Sequence, residues 1–231
     1  MTESDRVELL EGLRTTRAIR RYTDEPIPET ALRDILFAAT RAPSGSNRQP
    51  FRFMVFADSP RAKEVKTLIA RGAREIWGGK RTNEGYDEGS GQRPDSPKAR
   101  MAATMEHYVD HFSEVPVLVL AINLRYRGKV HIEGASIYPA CQNLLLAARG
   151  LGFGGALTAF HAPVAAELVQ LLGLPGHAEI AATITLGRPA GAHGPVRRAP
   201  MAELVFGDTW GDAPAWAVDP EGTRFTAKMP L

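Results

Sequence analysis

Ala42-Pro43-Ser44-Gly45-Ser46-Asn47-Arg48-Gln49-Pro50-Phe51-Arg52-Phe53 separates a helical pattern from a strand-like one. Upstream, Ala31, Leu32, Ile35, Leu36 and Ala39 recur at helical spacing behind Pro28, with Glu29 in the first turn, so residues 28–41 are predicted helical. Downstream, residues 51–57 read as a strand. The loop between them has almost no apolar bulk. Pro43 and Pro50 fix φ at its two ends, and Gly45 offers backbone angles closed to other residues. Ser44, Ser46, Asn47 and Gln49 crowd donors and acceptors into a few positions. Such a loop either turns the chain or wraps a flat polar ligand, and its residue types taken alone favour the turn.

The pattern continues outward from there. Residues 7–13 read as a short helix. Ser59 caps a second helix carrying Ala62, Val65, Leu68 and Ile69. Residues 78–98, rich in glycine and charge, are predicted to lack regular structure and to form a lid or a flexible insertion. Helix returns at 100–112. Residues 115–124 form the best strand, apolar throughout and central. Residues 135–149 are predicted helical, with Pro139 in the first turns or at a kink. A short strand at 156–160, a helix at 163–172 ended by Gly173, and a strand at 180–187 follow. A Gly/Pro-rich linker at 187–200 leads to a short strand or turn at 201–206. The tail, 207–231, has no period and either frays or lies across another surface. Helices and strands alternate irregularly through short connections, which points to one α+β domain with a mixed sheet covered by helices, not a doubly wound fold.

Composition narrows the function classes. The chain has 231 residues, 44% hydrophobic and 23% charged, with a formal net charge of +2. These are globular proportions, and the charge gives no global field for nucleic acid or an acidic membrane. The single Cys141 excludes an intrachain disulfide framework and suits a reducing compartment. Residues 1–11 carry no apolar signal core, and the longest apolar run, 115–122, is too short to span a bilayer. A cytoplasmic protein is the expectation.

Three motifs need weighing. Gly150-Leu151-Gly152-Phe153-Gly154-Gly155 matches G-x-G-x-x-G, but a helix precedes it and a strand follows, the reverse of a dinucleotide fingerprint; it reads as a helix exit. His107 and His111 share a helix face, yet no third ligand accompanies them, so they read as surface histidines and no metal site is expected. Arg17-Ala18-Ile19-Arg20-Arg21 is a solvated charge run, a basic patch for nucleic acid or a site for one phosphate, which arginine grips bidentately. Arg197 and Arg198 supply a second pair for the last of these.

Thr16 to Thr23 with Pro26-Ile27-Pro28, then residues 42–53, Leu144 to Gly152, the glycine-rich exit and Leu186-Gly187-Arg188-Pro189 together resemble the FMN-dependent nitroreductase family, over most of the chain. The resemblance implies an α+β fold with a largely antiparallel central sheet flanked by helices, and a homodimer with FMN at the interface. Arg17, Ala18 and Arg20 would hold the phosphate and ribityl chain, joined by Arg198 and Arg197. Pro43, Ser44, Gly45 and Asn47 would reach the flavin from the partner subunit. Leu157, Thr158 and Ala159 would lie against its ring. Extended termini embrace the partner in this family, which would give the tail its surface. Thr16 and Ala18 stand where arginine and serine are common.

The implied activity is NAD(P)H oxidation coupled to reduction of a nitroaromatic, a quinone or a similar electron-poor small molecule. One site would be used twice, giving ping-pong kinetics, and no side chain is assigned an acid–base role. The same fold would also accommodate dehalogenation, enone reduction or flavin cleavage, and a non-enzymatic FMN-binding protein is a further alternative. A nucleic-acid module ranks last.

Overall fold

A computed structural model describes residues 7–126 and 134–226. The outer parts of the sequence readings at 1–11 and 207–231 therefore lie outside the described residues. The chain runs α1 (Leu9–Thr15), α2 (Glu29–Ala39), β1 (Phe51–Phe56), α3 (Pro60–Asn83), α4 (Pro97–Asp110), β2 (Val117–Leu124), α5 (Gly134–Gly150), β3 (Gly154–Thr158), α6 (Ala165–Leu172) and β4 (Ala178–Gly187).

The four strands form one sheet in the order β1-β2-β4-β3, and every neighbouring pair is antiparallel. β2 sits inside the sheet and is buried on both faces, which is why its sequence is apolar without alternation. Val117, Val119 and Ala121 face a core built with Ile35 of α2 and Leu144 of α5. Leu118, Leu120 and Ile122 face a second core with Ile69 and Trp77 of α3, Tyr108 of α4 and Phe112. The sheet is thus covered by helices on both faces. β3 is the edge strand on the side where the N-terminal segment docks.

The helix boundaries have local causes. Pro28 immediately precedes α2, which buries Ala31, Ile35 and Ala39. Ser59 Oγ accepts the Ala62 N–H at 3.0 Å and starts α3, as the sequence indicates. Ser96 Oγ does the same for Ala99 at 3.0 Å and starts α4 three residues earlier than the apolar spacing suggests. α5 ends as the glycine pattern requires. Gly152 takes φ 80°, and the Phe153 N–H returns to the Ala148 carbonyl at 2.8 Å.

The segment 78–98 differs from its sequence reading. Residues 78–83 continue α3, Gly89–Gln92 form a 3-10 turn, and residues 97–98 belong to α4. Gly78 and Gly79 each cost about 1 kcal/mol relative to alanine in a helix. Side chains on either side of them hold the helix. Trp77 is buried and donates to Glu106 at 2.8 Å, and Arg81 grips both Asp87 and Glu106. Tyr86 packs edge-on against Trp77 at 5.1 Å, fastening the connection to α3. One smaller reading also shifts: Pro163 lies in a 3-10 turn, Ala162–Val164, ahead of α6. Of the strand and the turn expected at 201–206, the turn is found, as the 3-10 turn Met201–Glu203.

Candidate functional site

The arginine segment is zipped onto the sheet. The Ile19 N–H donates to the Gly155 carbonyl at 2.9 Å on the outer edge of β3. Thr23 N–H donates to Arg188 at 2.9 Å and Ala190 N–H to Arg21 at 3.0 Å, with Tyr22 bridging Pro189. Close approach requires glycine at two points. A Cβ on Gly154 would sit 2.5 Å from Ile19 Cγ1, and one on Gly187 would sit 2.6 Å from the Tyr22 ring. Gly154, at the glycine-rich exit of α5, and Gly187 at the end of β4 therefore make room for the Ile19 and Tyr22 side chains that seat the arginine segment.

A buried hydroxyl cluster locks the segment. Tyr22 Oη donates to the Ile19 carbonyl at 2.6 Å and lies 2.8 Å from Thr185 Oγ1, which lies 2.6 Å from Tyr108 Oη. Burial pushes both phenols well above their ordinary range, so they stay protonated.

Arg17, Ala18, Arg20 and Arg21 thereby form one wall of a cleft of about 630 Å³. The opposite wall is α4, through Pro97, Arg100, Met101 and Thr104, and Ala190–Ala192 close one end. No carboxylate is among the described lining residues. Among the described residues, Arg17, Arg20 and Arg21 have no ion-pair partner, and Arg20 Nε and Thr16 Oγ1 are buried without a hydrogen bond. Buried donors without acceptors beside unpaired guanidinium groups fit a highly charged anion such as a phosphomonoester.

The remaining sequence-derived residues do not line this cleft. The loop of Pro43, Ser44, Gly45 and Asn47 is a 3-10 turn on an exposed surface. Here the sequence reading is corrected. The left-handed angles fall on Ser46 (φ 52°), Asn47 (φ 51°) and Gln49 (φ 50°), not on Gly45. The Gln49 N–H donates to Ser44 Oγ at 2.9 Å, and the Gly45 N–H to Ser136 Oγ at 3.4 Å, which hold the turn. Left-handed non-glycine residues cost of order 1–3 kcal/mol each and cluster at functional sites. Leu157, 41% exposed, leads with Thr158 and Ala159 off the end of β3. Arg197 and Arg198 are exposed, and the Arg198 carbonyl accepts from the Thr226 N–H at 3.0 Å.

A smaller pocket of about 200 Å³ lies on the other side of Arg20 and Arg21, lined by His107, His111 and Glu114 among others. The two imidazoles stack with centroids 4.2 Å apart. Burial, then Arg21 and His111, lower the His107 pKa, and no group of three ligating side chains is present among the described residues.

The nitroreductase family model matches residues 13–188. The chain belongs to the nitroreductase family. The match spans Arg17 to Ala159 of the sequence-derived site, while Arg197 and Arg198 lie beyond it. A Thermus thermophilus NADH dehydrogenase is 31% identical over 207 residues, covering 82% of this chain and 91% of that protein. Rat iodotyrosine deiodinase 1 is 28% identical, and the match covers 79% of this chain but only 62% of the deiodinase. Among solved structures, a nitroreductase from Desulfovibrio desulfuricans in complex with FMN superposes with a TM-score of 0.64 at 29% identity, covering 88% of this chain and 98% of that one. The expected α+β fold with helices flanking an antiparallel sheet is this family's fold. Among the described residues of this nitroreductase-family chain, no helix is long and apolar enough to cross a membrane.

The sequence pattern marks the α4 wall of the cleft only as a helix. Pro97, Arg100, Met101 and Thr104 fall at helical spacing on one face, and that spacing was the available signal.

Proposed function

We propose that this chain is an FMN-dependent NAD(P)H oxidoreductase that reduces nitroaromatic, quinone or similar electron-poor acceptors, working as a cytoplasmic homodimer. The carrying observation is the cleft of unpaired arginines with the orphaned Arg20 Nε at its wall. Arg17 and Arg20 hold the FMN phosphate by charge-assisted hydrogen bonds, and the Ala18 backbone borders the same end. Arg197 and Arg198 approach from the linker after β4. Bound FMN supplies hydride acceptance and donation, with a nicotinamide nucleotide as donor.

This chain's residues position and shield. Leu157 covers the ring's edge of the site, and the backbone of Thr158 and Ala159 offers N–H donors to the ring. Pro43, Ser44, Gly45 and Asn47 of the partner subunit close the site from across the interface. Two features support a dimer. Leu9, Leu10, Leu13 and Phe37 each expose between 48% and 66% of their surface, apolar area that a partner chain would cover. The strained turn at 44–49 is also exposed, where a second chain can reach it. The connection at 84–96 lies beside α4 and serves as the substrate lid, while the 207–226 segment, with Trp210 and Trp216 exposed, lies across the partner.

Steady-state NAD(P)H consumption with a nitroaromatic acceptor tests this reading. Parallel-line, ping-pong kinetics are expected, and absence of turnover by an FMN-loaded protein would refute it. The likeness to proteins named iodotyrosine deiodinase favours reductive dehalogenation as the second reading, tested by halide release from a halogenated phenol.

A further inference from the structure

Two polar atoms behind the end of the cleft are as poorly served as Arg20 Nε. Arg149 Nε and His193 Nδ1 are both buried without a hydrogen-bond partner. They lie where the last turn of α5 meets the end of α1 and the linker after β4. Arg149 Nη2 donates to Thr15 Oγ1 at 3.1 Å, and Thr15 is buried. The chain leads from here straight into the cleft. Arg17, two residues after Thr15, stands in its wall, and Ala192, directly before His193, closes its end.

The protonation of the imidazole follows from its contacts. His193 Nε2 lies 3.2 Å from the Phe153 carbonyl, so Nε2 carries the hydrogen and donates it. In the neutral ring Nδ1 is then a bare lone pair. The other backbone group that bears on the ring is the Thr15 carbonyl, which is also an acceptor. A second ring proton would turn that mismatch into a hydrogen bond. Burial and then Arg149 hold His193 below the ordinary histidine range; the Phe153 and Thr15 carbonyls draw it up, and Arg17 pushes it down again. No carboxylate is among these groups, and both arginines stay charged at every pH the protein meets. An anion changes the balance. A phosphomonoester brings a charge of about −2, which offsets the repulsion from Arg17 and Arg149 and favours the imidazolium.

We propose that His193 is a further residue of the phosphate end of this cleft, neutral in the flavin-free protein and protonated on Nδ1 when a phosphate dianion is bound. The proton comes from solvent, and Nδ1–H then donates to the Thr15 carbonyl. The anion thus gains a positive charge that the free protein does not carry. The inference rests on the FMN reading above and adds one proton to the binding equilibrium of that site.

Calorimetry at pH 7.5 in two buffers of different ionisation heat counts the protons taken up per FMN bound. The phosphate, with a second pKa of about 6, is already dianionic there. Wild type is expected to take up about half a proton, and its FMN affinity should weaken about 3-fold or more between pH 7 and 8.5, as that proton becomes harder to supply. Riboflavin, which lacks the phosphate, should bind without uptake. His193→Gln keeps a donor for the Phe153 carbonyl and should bind FMN with no uptake and a flat pH profile. His107→Gln, on the far side of Arg21, should behave as wild type. Uptake that persists in His193→Gln, that is equal with riboflavin, or that is missing from wild type overturns the inference. Should the glutamine variant not fold, NMR titration of the His193 ring in wild type reads the same proton, and a titration unchanged by FMN overturns the inference. Sulfate, a dianion throughout this range, separates the two failures. A protein that binds neither FMN nor sulfate overturns the functional reading as well, whereas FMN binding without proton uptake overturns this inference alone.

Discussion

Replacing Arg20 by methionine separates a ligand-holding role from a structural one. Arg20 is partly buried, and its Nε is covered without a partner in the chain. In the protein alone, that uncompensated donor costs about 1–3 kcal/mol. Methionine keeps much of the apolar stem and removes the stranded N–H, so the flavin-free variant should be no less stable than wild type. With FMN bound, the variant lacks a charge-assisted hydrogen bond of about 1.5–3 kcal/mol, which is roughly 10- to 150-fold in Kd. Arg17 remains, so binding is weakened and not abolished. FMN fluorescence quenching gives the Kd, and thermal unfolding of the flavin-free protein gives the stability. Arg33→Met, at a side chain 72% exposed and paired with Asp34, is the control and should leave FMN affinity unchanged. An Arg20→Met protein with wild-type FMN affinity, or one whose weaker binding tracks a loss of stability, would refute the assignment.

Three further outcomes follow from the same geometry. Thr185→Val deprives the buried Tyr108 hydroxyl of its partner and loosens Tyr22, and should cost about 1–3 kcal/mol in urea unfolding together with weaker FMN retention. Gly154→Ala places a methyl 2.5 Å from Ile19 Cγ1, so the arginine segment must shift; a loss of about 1–3 kcal/mol and a higher FMN Kd are expected by the same two assays. His161 is buried with Nδ1 3.1 Å from Thr183 Oγ1, and burial lowers its pKa. The unfolded chain, titrating near about 6.5, then binds the proton more readily than the folded one, so this stability is present above that pH and is lost as pH falls through it. Urea midpoints at neutral pH and near pH 5 should differ less in His161→Gln than in wild type.

The parts of the fold legible in the sequence are those set by burial over a few turns. The stripe of Ala31, Ile35 and Ala39 and the unbroken run of β2 each meet one dominant contact, so their period reveals their place. The end of α3 was illegible because distant partners decide it: Arg81 is held by Asp87 and Glu106, and these override Gly78 and Gly79. The arginine motif carries an anion site among its readings, but its docking depends on the missing side chain of Gly154 against Ile19, a contact 135 positions away that no local pattern carries. By residue type Gly45 is the flexible point of its loop. Asn47, Ser46 and Gln49 take the left-handed angles instead, because the Gln49 N–H to Ser44 Oγ bond stabilises that turn. The place of Arg100 is invisible in its own sequence neighbours, because it depends on α4 facing the arginine segment across the cleft.

The most direct test of the account is the absorption spectrum of the purified chain, read with the identity of the released chromophore and the mass of the particle in solution. One FMN per chain and two per homodimer are predicted. A colourless monomer that takes up no added FMN would contradict the central claim that the arginines of this cleft hold a flavin phosphate.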